Sequence, residues 1–288
     1  MSSTKRSLRL TVDGEIAKIR IGDSCPVKVV GIINCSPDSF YKPSIKLKDD
    51  EIANLALKLI EEGAEIIDVG AVSTAPPEIY GKPQKVSPSV EKEQITRAIP
   101  IIKDVTDVPI SVDTQRAEVA EAALKLEASI VNDVSGLKSD PSMARVISEY
   151  GAATILMAAK EKPGDVGTVK SIIRELKSSI SIALENEIDE AKIVIDPGIG
   201  FGKDHRLDLN IIKNLVEFRI LRKPILISLS RKSFIGRVLE IERPEDLLVG
   251  SLAATAIAVY NGVHMIRTHD VGNTVEVVRV AEAIRDQT

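Results

Sequence analysis

The feature that most limits how this chain can fold is a repeated unit: a short apolar run, polar residues at its end, then a helical pattern. Val29-Val30-Gly31-Ile32-Ile33 ends on Asn34, and Ile193-Val194-Ile195 ends on Asp196. Ile225-Leu226-Ile227 leads into Ser230-Arg231-Lys232-Ser233, and Met265-Ile266 leads into Arg267-Thr268-His269-Asp270. Strand-like runs fall at 27–33, 65–69, 108–112, 129–132, 152–157, 192–195, 225–229 and 264–268. Helical periodicity follows at 49–62, 90–104, 115–126, 141–150, 169–188, 205–219, 245–260 and 274–285. Strands that alternate with helices pair in parallel through right-handed crossovers. Eight such units predict an α/β fold closed on itself, a (β/α)8 TIM barrel. An open, doubly wound sheet also alternates, but eight units and an extra N-terminal piece favour closure.

That extra piece alternates at period two over 8–21 around Asp13-Gly14, which predicts a β-hairpin plugging the barrel floor. A barrel of this kind takes about 250 residues, so the chain reads as one domain over 1–288. The stretch 71–89, rich in Pro and Gly, predicts a long βα loop. A net charge of -4 argues against a broad nucleic-acid surface. No apolar run approaches the length of a membrane span, and no apolar segment follows the basic N-terminus. Cys25 and Cys35 have neither zinc-site nor disulfide-framework spacing, so reduced thiols in a cytoplasmic protein are expected.

In a barrel, residues just past the strand ends converge on one mouth. Here they are Asn34 and Asp38, Asp68, Ser73-Thr74, Asp113, Asn132-Asp133, Asp196, Arg231-Lys232, Arg267 and His269. Asp113, Asn132, Asp196 and Lys232 mix acceptors and donors, which suits a flat heterocycle with an aminopyrimidinone edge. Asn34, Arg267 and His269 suit a phosphate-bearing group: Arg offers forked donors, and an amide oxygen helps hold Mg²⁺. Asp68 and Asp113 read equally well as strand-end capping or ion-pairing residues. His264 is expected on the closed face, and His205 on the surface. The run from Gly198 to Gly202 matches neither a dinucleotide fingerprint nor a Walker loop; its glycines suit a tight turn and close ligand approach.

Seven runs, in order, carry a resemblance. They are 34–40, 63–74, 111–114, 132–137, 196–203, 230–236 and 267–271. Together they resemble the dihydropteroate synthases of the pterin-binding barrel family over nearly the whole length after residue 27. The resemblance implies condensation of p-aminobenzoate with 6-hydroxymethyl-7,8-dihydropterin pyrophosphate, with release of pyrophosphate. It implies that Asp113, Asn132, Asp196 and Lys232 hold the pterin, with Asp113, Asp196 and Lys232 catalytic. It further implies that Asn34 binds Mg²⁺ and, with Arg267 and a charged His269, the pyrophosphate. Thr74, Phe201, Arg231 and Ser233 would line the aryl-amine side.

The chain departs from the family at three loops. Ala75-Pro76-Pro77 replaces Arg-Pro-Gly, so a loop arginine is missing. Tyr41-Lys42-Pro43-Ser44 alters the first loop, and Ala158-Ala159-Lys160 replaces a His after the fifth strand. Lys42 or Lys160 could supply the lost positive charge. The altered loops keep a modified aryl amine open as the acceptor. Methyl transfer from a methylated pterin to a corrinoid partner needs neither Lys232 nor the Arg267/His269 pair, and a scaffold would not need the phosphate-side groups. The small-residue helix 252–258 suits close packing in a homodimer or against the sheet.

Overall fold

A computed structural model of the chain describes residues 11–35, 48–72 and 86–287. It opens with the hairpin, strands β1 (Asp13–Ile16) and β2 (Ile19–Gly22). The turn is not Asp13-Gly14. Those residues pair with Gly22 and Ile21 inside the ladder, and the chain reverses at Ala17 and Lys18, with φ of 48° and 69°. Two left-handed residues match the twist of a two-residue hairpin loop. Gly14 serves a different need: a Cβ there would sit 2.8 Å from Pro224 Cγ and 3.0 Å from the Ala191 carbonyl oxygen. It is a close-approach glycine against the barrel floor.

Eight strands follow: β3 (Lys28–Asn34), β4 (Ile66–Gly70), β5 (Ile110–Asp113), β6 (Ile130–Asp133), β7 (Ala153–Met157), β8 (Ile193–Asp196), β9 (Leu226–Ser228) and β10 (Met265–Thr268). Neighbours pair in parallel in the order β8-β7-β6-β5-β4-β3-β10-β9. A parallel bridge between Ile195 and Ile225 joins β8 to β9. The sheet thus curls into a barrel, as the alternation of units predicts.

Side chains alternate across each strand, so every second residue points inward. The inward set begins apolar: Val30, Ile66, Ile130, Ala153, Ile155, Val194, Leu226 and Met265 form one cluster with Ile16 and Ile21 of the hairpin. Two residues further along the strands the same parity brings Asp68, Asn132, Asp196, Ser228 and Arg267 inward. One periodic rule therefore builds a dry floor and a polar mouth. Outside the strands lies a separate apolar layer against the helices, in which Leu59, Ile95, Ile147, Leu176, Phe218 and Val278 are buried.

The helices are α1 (Asp49–Glu61), α2 (Pro88–Lys103), α3 (Ala117–Lys125), α4 (Met143–Glu149), α5 (Val169–Glu185), α6 (His205–Lys213), α7 (Ser233–Leu239), α8 (Leu248–Tyr260) and α9 (Val271–Arg285). Two expected helices break. The 205–219 segment becomes α6 and a 3₁₀ stretch, Leu215–Leu221, separated at Asn214. The start of 245–260 tightens into a 3₁₀ turn, Pro244–Leu247, whose first position suits Pro244, since a first-turn N–H has no intrahelical partner to lose. The seven-residue α7 is additional, too short for its period to show in the sequence. It buries Phe234 and Ile235.

At the floor, Asp23 ties the hairpin down. Its carboxylate accepts from Arg219 at 2.8 and 2.5 Å and from the Val12 N–H at 2.9 Å. His264 lies buried at the start of β10, on the closed face. Its Nδ1 accepts the Ile225 N–H at 3.0 Å, so Nε2 carries the proton and faces Asp23 Oδ1 at 3.3 Å. Ile16 is fully buried between hairpin and barrel. Ile16→Ala is expected to cost about 2–5 kcal/mol, read as a lower urea midpoint, while ligand affinity at the opposite end is unchanged. A loss below 1 kcal/mol would mean that the hairpin does not seal the floor.

Candidate active site

At the mouth the central side chain is Arg267. Its Nε donates to Asp68 Oδ2 at 2.6 Å and its Nη2 to Asp113 Oδ2 at 2.9 Å. Asn132 Nδ2 also approaches Asp68 Oδ2, at 3.4 Å. Asp68 Oδ1 and Asp113 Oδ1 are buried and lack a hydrogen-bond partner. Such orphaned acceptors carry a desolvation penalty that a ligand with N–H donors can remove. Two carboxylates face one guanidinium here. Burial is the main reason that the Asp113 carboxyl is raised to about 7; Arg267 opposes the rise, and Asp68 and Glu91 add to it.

Beside this triad lies a second pair. Asp196 accepts the Gly198 N–H at 2.7 Å, and burial raises its carboxyl against the pull of Lys232. The Lys232 ammonium donates to the Ile199 carbonyl and lies 4.8 Å from the centroid of the Phe201 ring. Gly200 lets this side chain pass: a Cβ there would lie 3.2 Å from Lys232 Cε and closer still to Cδ. Burial pulls the Lys232 ammonium down to about 8, with Asp196 resisting.

Asn34 ends β3, in register with Gly70. Gly70 lies between Asn34 on β3 and Asp113 on β5, and a Cβ there would be in ordinary contact with both, 3.7 Å from Asn34 Oδ1 and 3.5 Å from Asp113 Cβ. His269 differs from expectation in charge. Burial, then the nearby Arg267, Arg231 and Lys232, drive its imidazole down to about 3, so it is neutral at physiological pH. Nδ1 lies 3.0 Å from Ser230 Oγ. The same hydroxyl lies 3.4 Å from Asp270 Oδ2; when it donates to Nδ1 instead, Nε2 carries the proton and is a neutral donor toward an anion.

Arg231, expected on the aryl-amine side, has four of its N–H donors committed elsewhere. Nε and Nη2 fork onto Asp270 at 2.9 and 2.7 Å, and Nη1 donates to the Pro244 and Glu245 carbonyls at 3.0 and 2.7 Å. It braces the β9 end against the start of α9 and holds the segment that carries Lys232 and Ser233. Ser233 opens α7, and Phe201 is half-buried. Thr74, with Asp38, Lys42 and Ala75, lies outside the described residues. Lys160 is exposed, its backbone N–H held by Asp165 at 2.8 Å.

The structure also brings in groups to which the sequence reading gave no role. Lys203 Nζ donates to the Gly198 carbonyl at 2.5 Å, and Asp208 accepts the Gly200 N–H at 3.0 Å; together they brace the turn that carries Phe201. Glu91, buried on α2, accepts from Thr114 Oγ1 at 2.6 Å and from Arg116, locking the segment after Asp113. An acid on a polar-looking helix gives no sign of this. The sequence does hold a sign for Asp208, whose place among Leu207, Ile211 and Ile212 marks a helix face turned inward.

A parallel barrel whose mouth gathers carboxylates, an amide, an ammonium and a guanidinium is the active centre of an enzyme acting on a small polar, anionic molecule. Comparison with known proteins narrows the class. Residues 30–269 match the model of the pterin binding enzyme family. The dihydropteroate synthase of Bacillus subtilis is 37% identical over 259 residues, covering 89% of this chain and 88% of that protein. A Clostridium difficile dihydropteroate synthase determined in the presence of pteroic acid superposes with a TM-score of 0.82 at 36% identity, covering 91% of this chain and 98% of that one. The Xanthomonas albilineans enzyme with 4-aminobenzoic acid gives a TM-score of 0.85 at 31% identity, covering 96% and 100%. The chain belongs to the dihydropteroate synthase family of pterin-binding enzymes.

The environment of Lys232 is directly measurable. NMR of ¹³C-lysine protein is expected to show one side-chain resonance, absent from Lys232→Arg, that titrates near about 8. The shift is downward, so the ammonium is present below that pH and lost as the pH rises through it. Titration at the ordinary lysine value of 10.5 would contradict the burial argued here.

Proposed function

We propose that this protein condenses p-aminobenzoate with 6-hydroxymethyl-7,8-dihydropterin pyrophosphate, releasing pyrophosphate in folate biosynthesis. The observation that carries the reading is the buried polar layer, with acceptors awaiting N–H donors on Asp68 and Asp113 beside the Arg267 guanidinium. An aminopyrimidinone edge supplies N–H donors in a plane, and a diphosphate next to it suits Arg267.

In this reading Asp113, Asn132, Asp196 and Lys232 bind the pterin. The aryl amine nitrogen attacks the exocyclic methylene carbon. A C–N bond forms, the C–O bond breaks, the electron pair leaves with pyrophosphate, and the amine releases a proton. Positive charge grows on the methylene, and the Asp113 carboxylate beside the ring stabilises it. Negative charge grows on the leaving oxygen, where Arg267 and the neutral Nε2–H of His269 donate. No covalent nucleophile is required. Phe201, Ser233 and Thr74 line the aryl-amine side, and Arg231 acts there through the segment that it fixes.

Mg²⁺ fits this site in one way. No cluster of three His, Cys, Asp or Glu side chains forms a cage among the described residues. The amide oxygen of Asn34 suits an ion bound mainly by phosphate oxygens and water. When bound, Mg²⁺ supplies charge neutralisation to the leaving diphosphate.

The purified protein with Mg²⁺ and the pterin pyrophosphate is expected to release pyrophosphate only when p-aminobenzoate is added, yielding dihydropteroate. Arg267→Met is expected to lower kcat/KM about 10²- to 10³-fold. Pterin binding without amine-dependent release would overturn the reading.

We place the enzyme in the cytoplasm as a single catalytic domain, in keeping with its two free cysteines. Among the described residues no helix is long and apolar enough to cross a membrane. We also propose a homodimer through the outer face of α8. Val249, Ile257 and Tyr260 are exposed there, as are Val280 and Ile284 on neighbouring α9. Scattered apolar side chains are ordinary on a surface, but several on adjoining helices suit a second copy. Sedimentation equilibrium should give twice the chain mass, and Val249→Glu should give the monomer; a monomeric parent would refute the dimer.

A further inference from the structure

Phe201 faces Lys232, yet the groups that fix it from behind lie in a different loop, the one after β7. Ala159 and Pro163 form an antiparallel bridge, closing a tight excursion. Its centre is filled by the Asp165 carboxylate, which accepts the N–H groups of Lys160, Glu161 and Lys162 at 2.8, 2.8 and 3.2 Å. Its base is clamped by Lys138, whose ammonium donates to the Ala159 carbonyl at 2.5 Å and pairs with Glu175 at 3.0 Å. Strand β7 joins the pterin side as well, because the Ala158 N–H donates to the Asp196 carbonyl at 2.9 Å.

This clasped loop lies flat against the Phe201 peptide. Gly164 has φ of +89°, a conformation open mainly to glycine. A Cβ there would overlap the Phe201 carbonyl oxygen outright and lie 2.8 Å from its carbonyl carbon. On its other side the Phe201 turn is braced by Lys203 and Asp208. The phenylalanine is thus gripped between a fixed turn and a fixed loop, and any displacement of Gly164 passes to the ring.

We propose that the loop from Ala159 to Asp165 is a positioning element for the second substrate, with Gly164 and Asp165 setting the place of Phe201 and hence the fit of the aryl amine. The claim rests on the proposed condensation for its kinetic consequence and on geometry alone for its structural one. It requires that the two substrates respond differently: the pterin contacts Asp196 and Asn132 on strands, whereas the amine meets a wall that this loop supports.

The test uses Gly164→Ala and the milder Asp165→Asn, which keeps the side-chain shape and replaces a carboxylate that accepts three N–H groups. Each is compared with the parent by steady-state kinetics against each substrate, and by NMR of ¹³C-phenylalanine protein. The chain has four phenylalanines, so Phe201→Leu assigns the ring. The Phe201 resonance should shift in both variants, and KM for p-aminobenzoate should rise about tenfold in Gly164→Ala. The KM for the pterin pyrophosphate should change less than about twofold, with kcat largely kept. An unshifted Phe201 resonance in folded Asp165→Asn, or equal rises in both KM values, overturns the proposal. If the parent shows no amine-dependent turnover, the condensation reading fails, and the Phe201 resonance then decides the positioning claim by itself.

Discussion

The rest of this site depends on one buried charge balance. Asp68 is fully buried, Asp113 nearly so, and both turn a carboxylate oxygen to the same guanidinium. Without Arg267 the barrel would enclose two uncompensated carboxylates, at a cost of several kcal/mol each. With it, one negative charge still exceeds the positive charge of the triad, and that excess adds to the rise that burial imposes on Asp113. The free enzyme therefore stores unsatisfied acceptors where a donor-rich heterocycle would bind. In the proposed reaction Arg267 would join the two halves of the site, since the guanidinium that neutralises Asp68 and Asp113 is also the one we assign to the diphosphate.

The barrel makes this arrangement possible through strand parity. Met265 and Arg267 share one face of β10, as do Ile66 and Asp68 on β4, and Val194 and Asp196 on β8. In each pair the first member is an apolar floor residue and the second a mouth residue. Shifting a strand by one position would bury the wrong set, so packing of the floor by Ile16 and Ile21 also fixes the register of the chemistry above it. The hairpin seal lies at one end of the barrel axis and the charged layer at the other.

Much of this was legible in the sequence because strand ends announce themselves. An apolar run that stops at Asp113, Asn132, Asp196 or Arg267 puts a polar group where a parallel barrel has its mouth, and the structure brings those residues together. What was not legible depends on partners distant in sequence. Asp68 looked like either a cap or an ion-pair member until Arg267, 199 residues away, was seen to hold it. A polyanionic leaving group suggests a cationic His269, but its burial and the cations around it keep it neutral. The family resemblance puts Arg231 on the aryl-amine side, whereas its guanidinium forks onto Asp270. Asp13-Gly14 carried the usual dipeptide signal for a hairpin turn, yet the glycine answers to Pro224 across the barrel floor.

If Arg267 is the counter-ion of Asp68 in the barrel mouth, a double-mutant cycle on unfolding free energy will show the two coupled. Urea denaturation would compare Arg267→Met, Asp68→Asn and the double variant with the parent. Arg267→Met is expected to cost about 3–5 kcal/mol, and adding Asp68→Asn to recover much of that loss, because the stranded charge is gone. Two losses that simply add would contradict this coupling, since Arg267 and Asp68 would then be energetically independent.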